Sequence, residues 1–151
     1  MAINAVLRPA TPDDAPTLAE VERIAFTLPN WPAETFLNYD CIVAEVDGQI
    51  AGFLVSRQTF PGNSRALPER EILNLAVVPA YRRIGLATQL LQLEFRHKAI
   101  FFLEVRESNF AARSLYERLG FSEISRRKDY YDHPPETAIV MRFTRKWPQS
   151  C

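Results

Sequence analysis

Glu104 and Tyr116 are the residues whose types and spacing invite acid–base chemistry. Glu104 lies in "IFFLEV" and shares a strand face with Ile100 and Phe102 by the period of two. A carboxylate among apolar neighbours has a raised pKa, because burial disfavours its charge, and such a group suits a base working near neutral pH. The same spacing also fits an exposed strand glutamate paired with Arg106 or another cation. Tyr116, in "SNFAARSLYERLGF", follows Asn109 by two helical turns, so both fall on one face. A phenol with a pKa of about 10 stays protonated at neutral pH and can act as an acid. The commoner fate of a helical tyrosine is packing, here beside Leu115 and Leu119.

A second constellation lies in "VVPAYRRIGLAT", from Val77 to Thr88. An apolar strand runs into a short basic loop with Gly85 at the head of a helix. The first amides of a helix lack internal partners, and the helix dipole adds about half a positive charge there. Gly85 has no Cβ to keep a ligand away from the backbone. Arg82 and Arg83 add fixed charge, so a pyrophosphate is the natural guest. Neither GxxxxGK[ST] nor GxGxxG is present, which argues against a nucleoside triphosphate or a dinucleotide. Taken alone, the stretch also reads as a surface loop with solvated arginines.

The elements that must position these residues follow from periodicity and punctuation. Asn4 to Arg8 reads as a strand. A helix follows, with Thr11 as N-cap, Pro12 in the first turn and apolar residues at Leu18, Val21, Ile24 and Ala25. "NWPAETFLNY" reads as a second short helix. Two strand-like runs flank Asp47-Gly48, a hairpin turn with positive φ. "PGNSRALPER" is a loop and "EILNLAVV" a strand that Pro79 stops. The helix after Gly85, the "IFFLEV" strand and a helix from Ser108 or Asn109 to Gly120 come next. "FSEISRRKDYY" and "TAIVMRFT" close the chain as strands around a loop from Asp132 to Glu136. The order of strands and helices predicts a mixed sheet carrying helices, of α/β or α+β type.

At 151 residues the chain predicts one domain over 1–151, with a tail over 145–151 expected to be flexible. Acidic and basic residues balance to a net charge of zero, which argues against direct nucleic-acid or anionic-membrane binding. Cys41 and Cys151 form no CxxC pair, and His97 and His133 stand apart, so no metal site is expected. No signal-peptide pattern opens the chain and no apolar stretch approaches about 18 residues. A cytoplasmic protein is the expectation.

Arg82-x-x-Gly85-x-Ala87 after a strand resembles the acetyl-CoA signature of the GCN5-related N-acetyltransferases, the GNAT superfamily. The resemblance runs through "LNLAVVPAYRRIGLATQLL" and "FFLEVRESNFAARSLYERLGF" to "RRKDYY" and "TAIVM". These last pieces resemble the RimI-type branch, which acetylates the N-terminal alanine of a small-subunit ribosomal protein. The implied fold has about four helices and a mostly antiparallel sheet of about seven strands, two of them splayed at the acyl-CoA site. The implied cosubstrate is acetyl-CoA. Its pyrophosphate would be wrapped by the backbone of Arg83, Ile84, Gly85, Leu86, Ala87 and Thr88, and its pantetheine would pair with Leu75, Ala76 and Val77. A backbone amide near Val77 would polarise the thioester. Asn109 would contact coenzyme A, Glu104 would be the general base and Tyr116 the general acid.

On the acceptor side the resemblance implies a protein N-terminus, with Tyr131 and Trp31 as contacts. Neighbouring strand residues point to opposite faces, so of Tyr130 and Tyr131 one alone is expected to line the site. A free α-amine has a pKa of about 7.8 against about 10.4 for lysine, so at neutral pH it is roughly a few hundredfold more often neutral and a single carboxylate serves it more easily. "PPETAIVM" departs from the branch's acidic approach to the last strand, and "PGNSRALP" enlarges a loop. A small amine or a lysine is the alternative acceptor, and a non-catalytic acyl-CoA-binding module a third reading.

Overall fold

The computed structural model describes residues 4–26 and 31–144, so the tail expected over 145–151, with Cys151, lies outside the described residues. Seven strands form one hydrogen-bonded sheet in the order β1-β2-β3-β4-β5-β7-β6. They are β1 (Val6–Pro9), β2 (Asp40–Val46), β3 (Gln49–Phe60), β4 (Glu69–Val77), β5 (Ile100–Arg106), β6 (Ser122–Tyr131) and β7 (Glu136–Thr144). The helices are α1 (Ala15–Ala25), α2 (Leu86–Glu94) and α3 (Phe110–Leu119). The expected second helix is instead a six-residue 3-10 segment, Ala33–Asn38. It counts as the fourth helix of the mixed, mostly antiparallel architecture expected from the sequence. The chain divides into two compact units, one of residues up to Arg57 with Leu73–Arg96, the other of Gln58–Ile72 with the residues from His97 onward.

In the first unit, β1 pairs antiparallel with β2 and β2 with β3. The hairpin between β2 and β3 turns on Asp47 (φ 53°) and Gly48 (φ 77°), the positive values that a two-residue turn demands. Thr11 opens the helical region, and its backbone N–H donates to Asp14 Oδ2 at 2.7 Å. Arg8 on β1 grips both Asp14 and Glu45, at 2.7 Å to each, so β1, β2 and the head of α1 share one guanidinium. That hydrogen-bonded partner holds the Asp14 carboxyl well below the usual carboxylate range. Leu18 and Val21 of α1 close over Val43, Phe53, Val55 and Ala76 with Phe36. Phe36 meets Phe53 edge-on at 5.2 Å, a favourable ring geometry. Leu86, Leu90 and Leu91 bury the inner face of α2.

Gly52 on β3 fixes how close β4 can come. A Cβ there would stand 2.7 Å from the Ala76 carbonyl oxygen and 3.2 Å from Val77 Cγ2. Val78 N donates to Ala51 O at 2.9 Å beside it, so the two backbones have no slack. Gly52→Ala is therefore expected to cost about 1–3 kcal/mol, the usual range for overpacking, read from urea unfolding. An unchanged midpoint would mean that β4 shifts freely.

In the second unit, the head of β4 pairs parallel with β5 over four positions, Glu69↔Ile100 to Ile72↔Leu103. β5 pairs antiparallel with β7 along its length, and β7 with β6. Burial along β5 alternates strictly: Phe101, Leu103 and Val105 are buried, while Ile100, Phe102, Glu104 and Arg106 share the partly open face. α3 begins where Asn109 Oδ1 accepts from Ala112 N at 3.1 Å and ends at Gly120 in the left-handed region, φ 113°. β6 is the sheet's last strand and is exposed throughout except at Tyr131. No helix among the described residues is long and apolar enough to cross a membrane.

Candidate active site

The glycine of the basic loop is required by its backbone. Gly85 is the residue before α2, with φ 88°, and Arg83 two residues earlier also has a positive φ of 65°. A Cβ at Gly85 would meet nothing within 4 Å. Its positive φ, which L side chains rarely adopt, makes the glycine necessary there. The first helical bond is from Gln89 N to Gly85 O at 2.9 Å, so the amides of Leu86, Ala87 and Thr88 have no acceptor within the helix. That is an anion-binding geometry, and Arg83 beside it is exposed. Arg82 serves elsewhere: its Nε donates to Val77 O at 3.1 Å and its Nη2 to Ala25 O at 2.9 Å. These bonds to neutral carbonyls leave the charge of Arg82 in place and fix its guanidinium, which ties the end of β4 to the end of α1. Leu75, Ala76 and Val77 are the last residues of β4, held in the first unit with Gly85.

The second unit holds Glu104, Tyr116, Asn109 and Tyr131. The Glu104 side chain is 18% exposed, with Arg127 Nε at 3.4 Å. The Tyr130 hydroxyl donates a hydrogen bond to it, which raises the Tyr130 pKa. Its surroundings are therefore not the purely apolar ones expected from Ile100 and Phe102. Its cation is Arg127, whereas Arg106 pairs with Glu136 at 3.3 Å. Tyr116 is buried, and its ring meets Phe121 edge-on at 5.6 Å. Burial, then the nearby Tyr131, pushes its phenol up to about 12. Burial and then Glu104 push Tyr131 to about 12 as well. Tyr131 thus interacts with both candidate acid–base groups. Asn109 caps α3 through its side-chain oxygen.

One expectation about aromatic residues changes. The alternation rule assigned Tyr130 and Tyr131 to opposite faces. The β6–β7 register slips between Arg127 and Tyr131, with Asp129 at φ 52°, and the two rings meet edge-on at 5.1 Å. A bulge breaks the alternation, and both tyrosines reach the surroundings of Glu104. Trp31 is packed between Phe36 at 5.3 Å and Tyr39 at 5.6 Å in the first unit. Its backbone N–H donates to the carboxylate of Glu22 at 2.6 Å.

Glu22 is a residue that the sequence reading passed over. It is 4% exposed on α1, and it also accepts from the Asn74 side-chain amide. Burial raises its pKa. The folded protein then binds this proton more tightly than the unfolded chain does. Its contribution to stability is full below the ordinary glutamate pKa of about 4.3 and is lost as pH rises through the raised folded value. Glu22→Gln removes that loss and keeps an acceptor for Trp31 N–H. The stability of the variant relative to the parent is expected to rise as pH increases above the ordinary glutamate pKa of about 4.3, measured by urea unfolding. A difference independent of pH would show that the carboxylate is buried without cost.

Comparison with known proteins closes the assignment. Residues 5–121 match the family model described as Acetyltransferase (GNAT) family. The [Ribosomal protein bS18]-alanine N-acetyltransferase of Escherichia coli K12 is 36% identical over 140 residues, covering 85% of this chain and 89% of that protein. Its counterpart from Haemophilus influenzae is 37% identical over 123 residues, covering 76% and 77%. The crystal structure of the ribosomal-protein-S18-alanine N-acetyltransferase from Escherichia coli superposes with a TM-score of 0.80, 30% identity and coverage of 98% and 99%. A left-handed glycine before α2, first-turn amides with no acceptor within the helix and this breadth of similarity agree: the chain belongs to the GNAT family of acetyltransferases and is an acetyl-CoA-dependent N-acetyltransferase.

Proposed function

We propose that the protein transfers acetyl from acetyl-CoA to the N-terminal α-amine of alanine in the small-subunit ribosomal protein bS18. The observation that carries this reading is the similarity to the bS18-alanine N-acetyltransferases, at 36–37% identity over three quarters or more of their length. The chemistry agrees with it. An α-amine with a pKa of about 7.8 gives up its proton to a single carboxylate far more readily than a lysine does. A ribosomal acceptor makes the cytoplasm the place of action.

In this reading the amides of Arg83 to Thr88 hold the pyrophosphate, the backbone of Leu75 to Val77 holds pantetheine, and Asn109 adds a contact to coenzyme A. Glu104 takes the amine's proton, directly or through one water. The amine nitrogen attacks the thioester carbonyl, the C–N bond forms and the C–S bond breaks. Tyr116 donates its hydroxyl proton toward the departing sulfur. Tyr131 and Trp31 belong to the acceptor's surroundings. The base role is supported by the partly open position of Glu104, and the acid role by a phenol that stays protonated at neutral pH.

The test is incubation with acetyl-CoA and a peptide beginning Ala-Arg-Tyr, followed by mass spectrometry. One acetyl group should appear on the α-amine, and blocking that amine should abolish the reaction. Acetylation of an internal lysine, or of small amines alone, would overturn the acceptor. Binding of coenzyme A without turnover on any amine would leave only an acyl-CoA-binding module.

A further inference from the structure

Arg106 lies two residues beyond Glu104 on β5, on the same partly open face. Its guanidinium is spent on one object, the β6–β7 turn and the tyrosine before it. Nη1 donates to Pro134 O at 3.0 Å and Nη2 to Asp132 O at 3.2 Å. Nη1 also meets Glu136 Oε1 at 3.3 Å. The guanidinium carbon stands 4.3 Å from the centre of the Tyr131 ring, well within the range of about 6 Å for a cation–π contact. The second oxygen of Glu136 accepts from Ser108 N at 2.5 Å, which anchors the far end of the turn to the chain just after β5. A planar fork stacked on a ring while bonding two carbonyls is an arrangement that lysine cannot reproduce.

The contact continues toward the reacting groups. Tyr131 meets Tyr130 edge-on at 5.1 Å, and the Tyr130 hydroxyl bonds Glu104. Turn, guanidinium, two rings and carboxylate form one unbroken series in the second unit. The bulge between Arg127 and Tyr131 leaves Tyr130 outside the ladder, and Tyr131 re-enters it only at the turn, as the partner of Glu136. We infer that Arg106 is a positioning residue for the acceptor: it pins the β6–β7 turn and the Tyr131 ring, and so sets the pocket wall against which the incoming amine is aligned with Glu104. The inference rests on the proposed function for its acceptor. The same contacts occupy Glu136, the acid that opens β7: both of its oxygens are engaged.

Arg106→Gln and Arg106→Lys test it. In both, the KM for the peptide acceptor is expected to rise about tenfold or more, with the KM for acetyl-CoA within about twofold of the parent. Hydrogen exchange over 129–137 should quicken by about tenfold or more, while exchange over β2 and β3 stays unchanged. The lysine variant keeps the charge and the stem, so it supplies the measurement should the glutamine variant fail to fold. Peptide KM unchanged in either folded variant, or full recovery by lysine, would overturn the inference. So would faster exchange with no change in peptide KM, because the contact would then be structural only. Failure of the proposed function shows separately, in the parent protein: if that takes no peptide N-terminus, the amine it does acetylate replaces the peptide and the same KM comparison decides.

Discussion

Replacing Glu104 with glutamine is expected to lower kcat by about 10²- to 10⁴-fold, the usual contribution of a positioned general base. The substitution is close to isosteric. Its amide oxygen still accepts from the Tyr130 hydroxyl, so the hydrogen bond that orients this side chain survives in kind. The ion pair to Arg127 is lost, but the Arg127 side chain is 58% exposed, and such a pair contributes little to stability. Coenzyme A affinity should stay within about twofold, because none of the residues assigned to its pyrophosphate or pantetheine is altered. Steady-state kinetics with the alanine peptide, alongside titration with coenzyme A, separates the two quantities. A glutamine variant with undiminished kcat would remove Glu104 from the mechanism. A variant that lost coenzyme A affinity along with activity would place the residue in cofactor binding instead.

What the sequence made legible was what local chemistry decides. Asp47-Gly48 needed two positive φ values and has them. Asn109 and Gly120 bound α3, through a side-chain cap at one end and a left-handed residue at the other. Alternation along β5 placed Glu104 on one face with Ile100 and Phe102, because β5 pairs regularly with β7 over its whole length. What escaped the sequence shares a cause: each feature depends on a partner distant in sequence or on a broken repeat. Arg82 donates to the Ala25 carbonyl, 57 positions away, a tie that no local pattern announces. Tyr130 and Tyr131 escape the alternation rule because the register slips, and nothing in "RRKDYY" marks a bulge with a left-handed aspartate.

Glu22 was discoverable. Leu18, Val21 and Ala25 define an apolar helical stripe, and position 22 falls within it, so a glutamate there signals a buried, partnered carboxylate. The second helix was misread in type rather than in place. "AETFLN" carries an apolar anchor at Phe36, but six residues are too few for helical hydrogen bonding to settle between the 3-10 and α forms.

Tyr116→Phe separates an acid from a packing residue, because phenylalanine keeps the ring against Phe121 and deletes only the hydroxyl. If Tyr116 donates to the leaving sulfur, kcat should fall by about 10²-fold, the scale of one lost donor at a developing charge. Stability should change by no more than about 1 kcal/mol, the worth of a single hydrogen bond. The pH profile makes the stronger test. An ordinary phenol has a pKa of about 10, and its ionisation would cut activity on the alkaline side. Burial holds Tyr116 at about 12, so the parent should show no such alkaline limb below about pH 10, and the ratio of parent to variant rates should stay constant there. The same elevation limits what the phenol can do. A thiol has a pKa of about 8.5, so complete proton transfer from a phenol at about 12 to a free thiolate is uphill by roughly 5 kcal/mol. The hydroxyl is therefore at its most effective as a hydrogen-bond donor while the C–S bond is breaking and charge is gathering on sulfur. A constant, pH-independent loss is the signature of that role. A parent profile falling with a midpoint near 10, absent in the phenylalanine variant, would show instead that the phenol titrates freely and that its burial does not govern the chemistry.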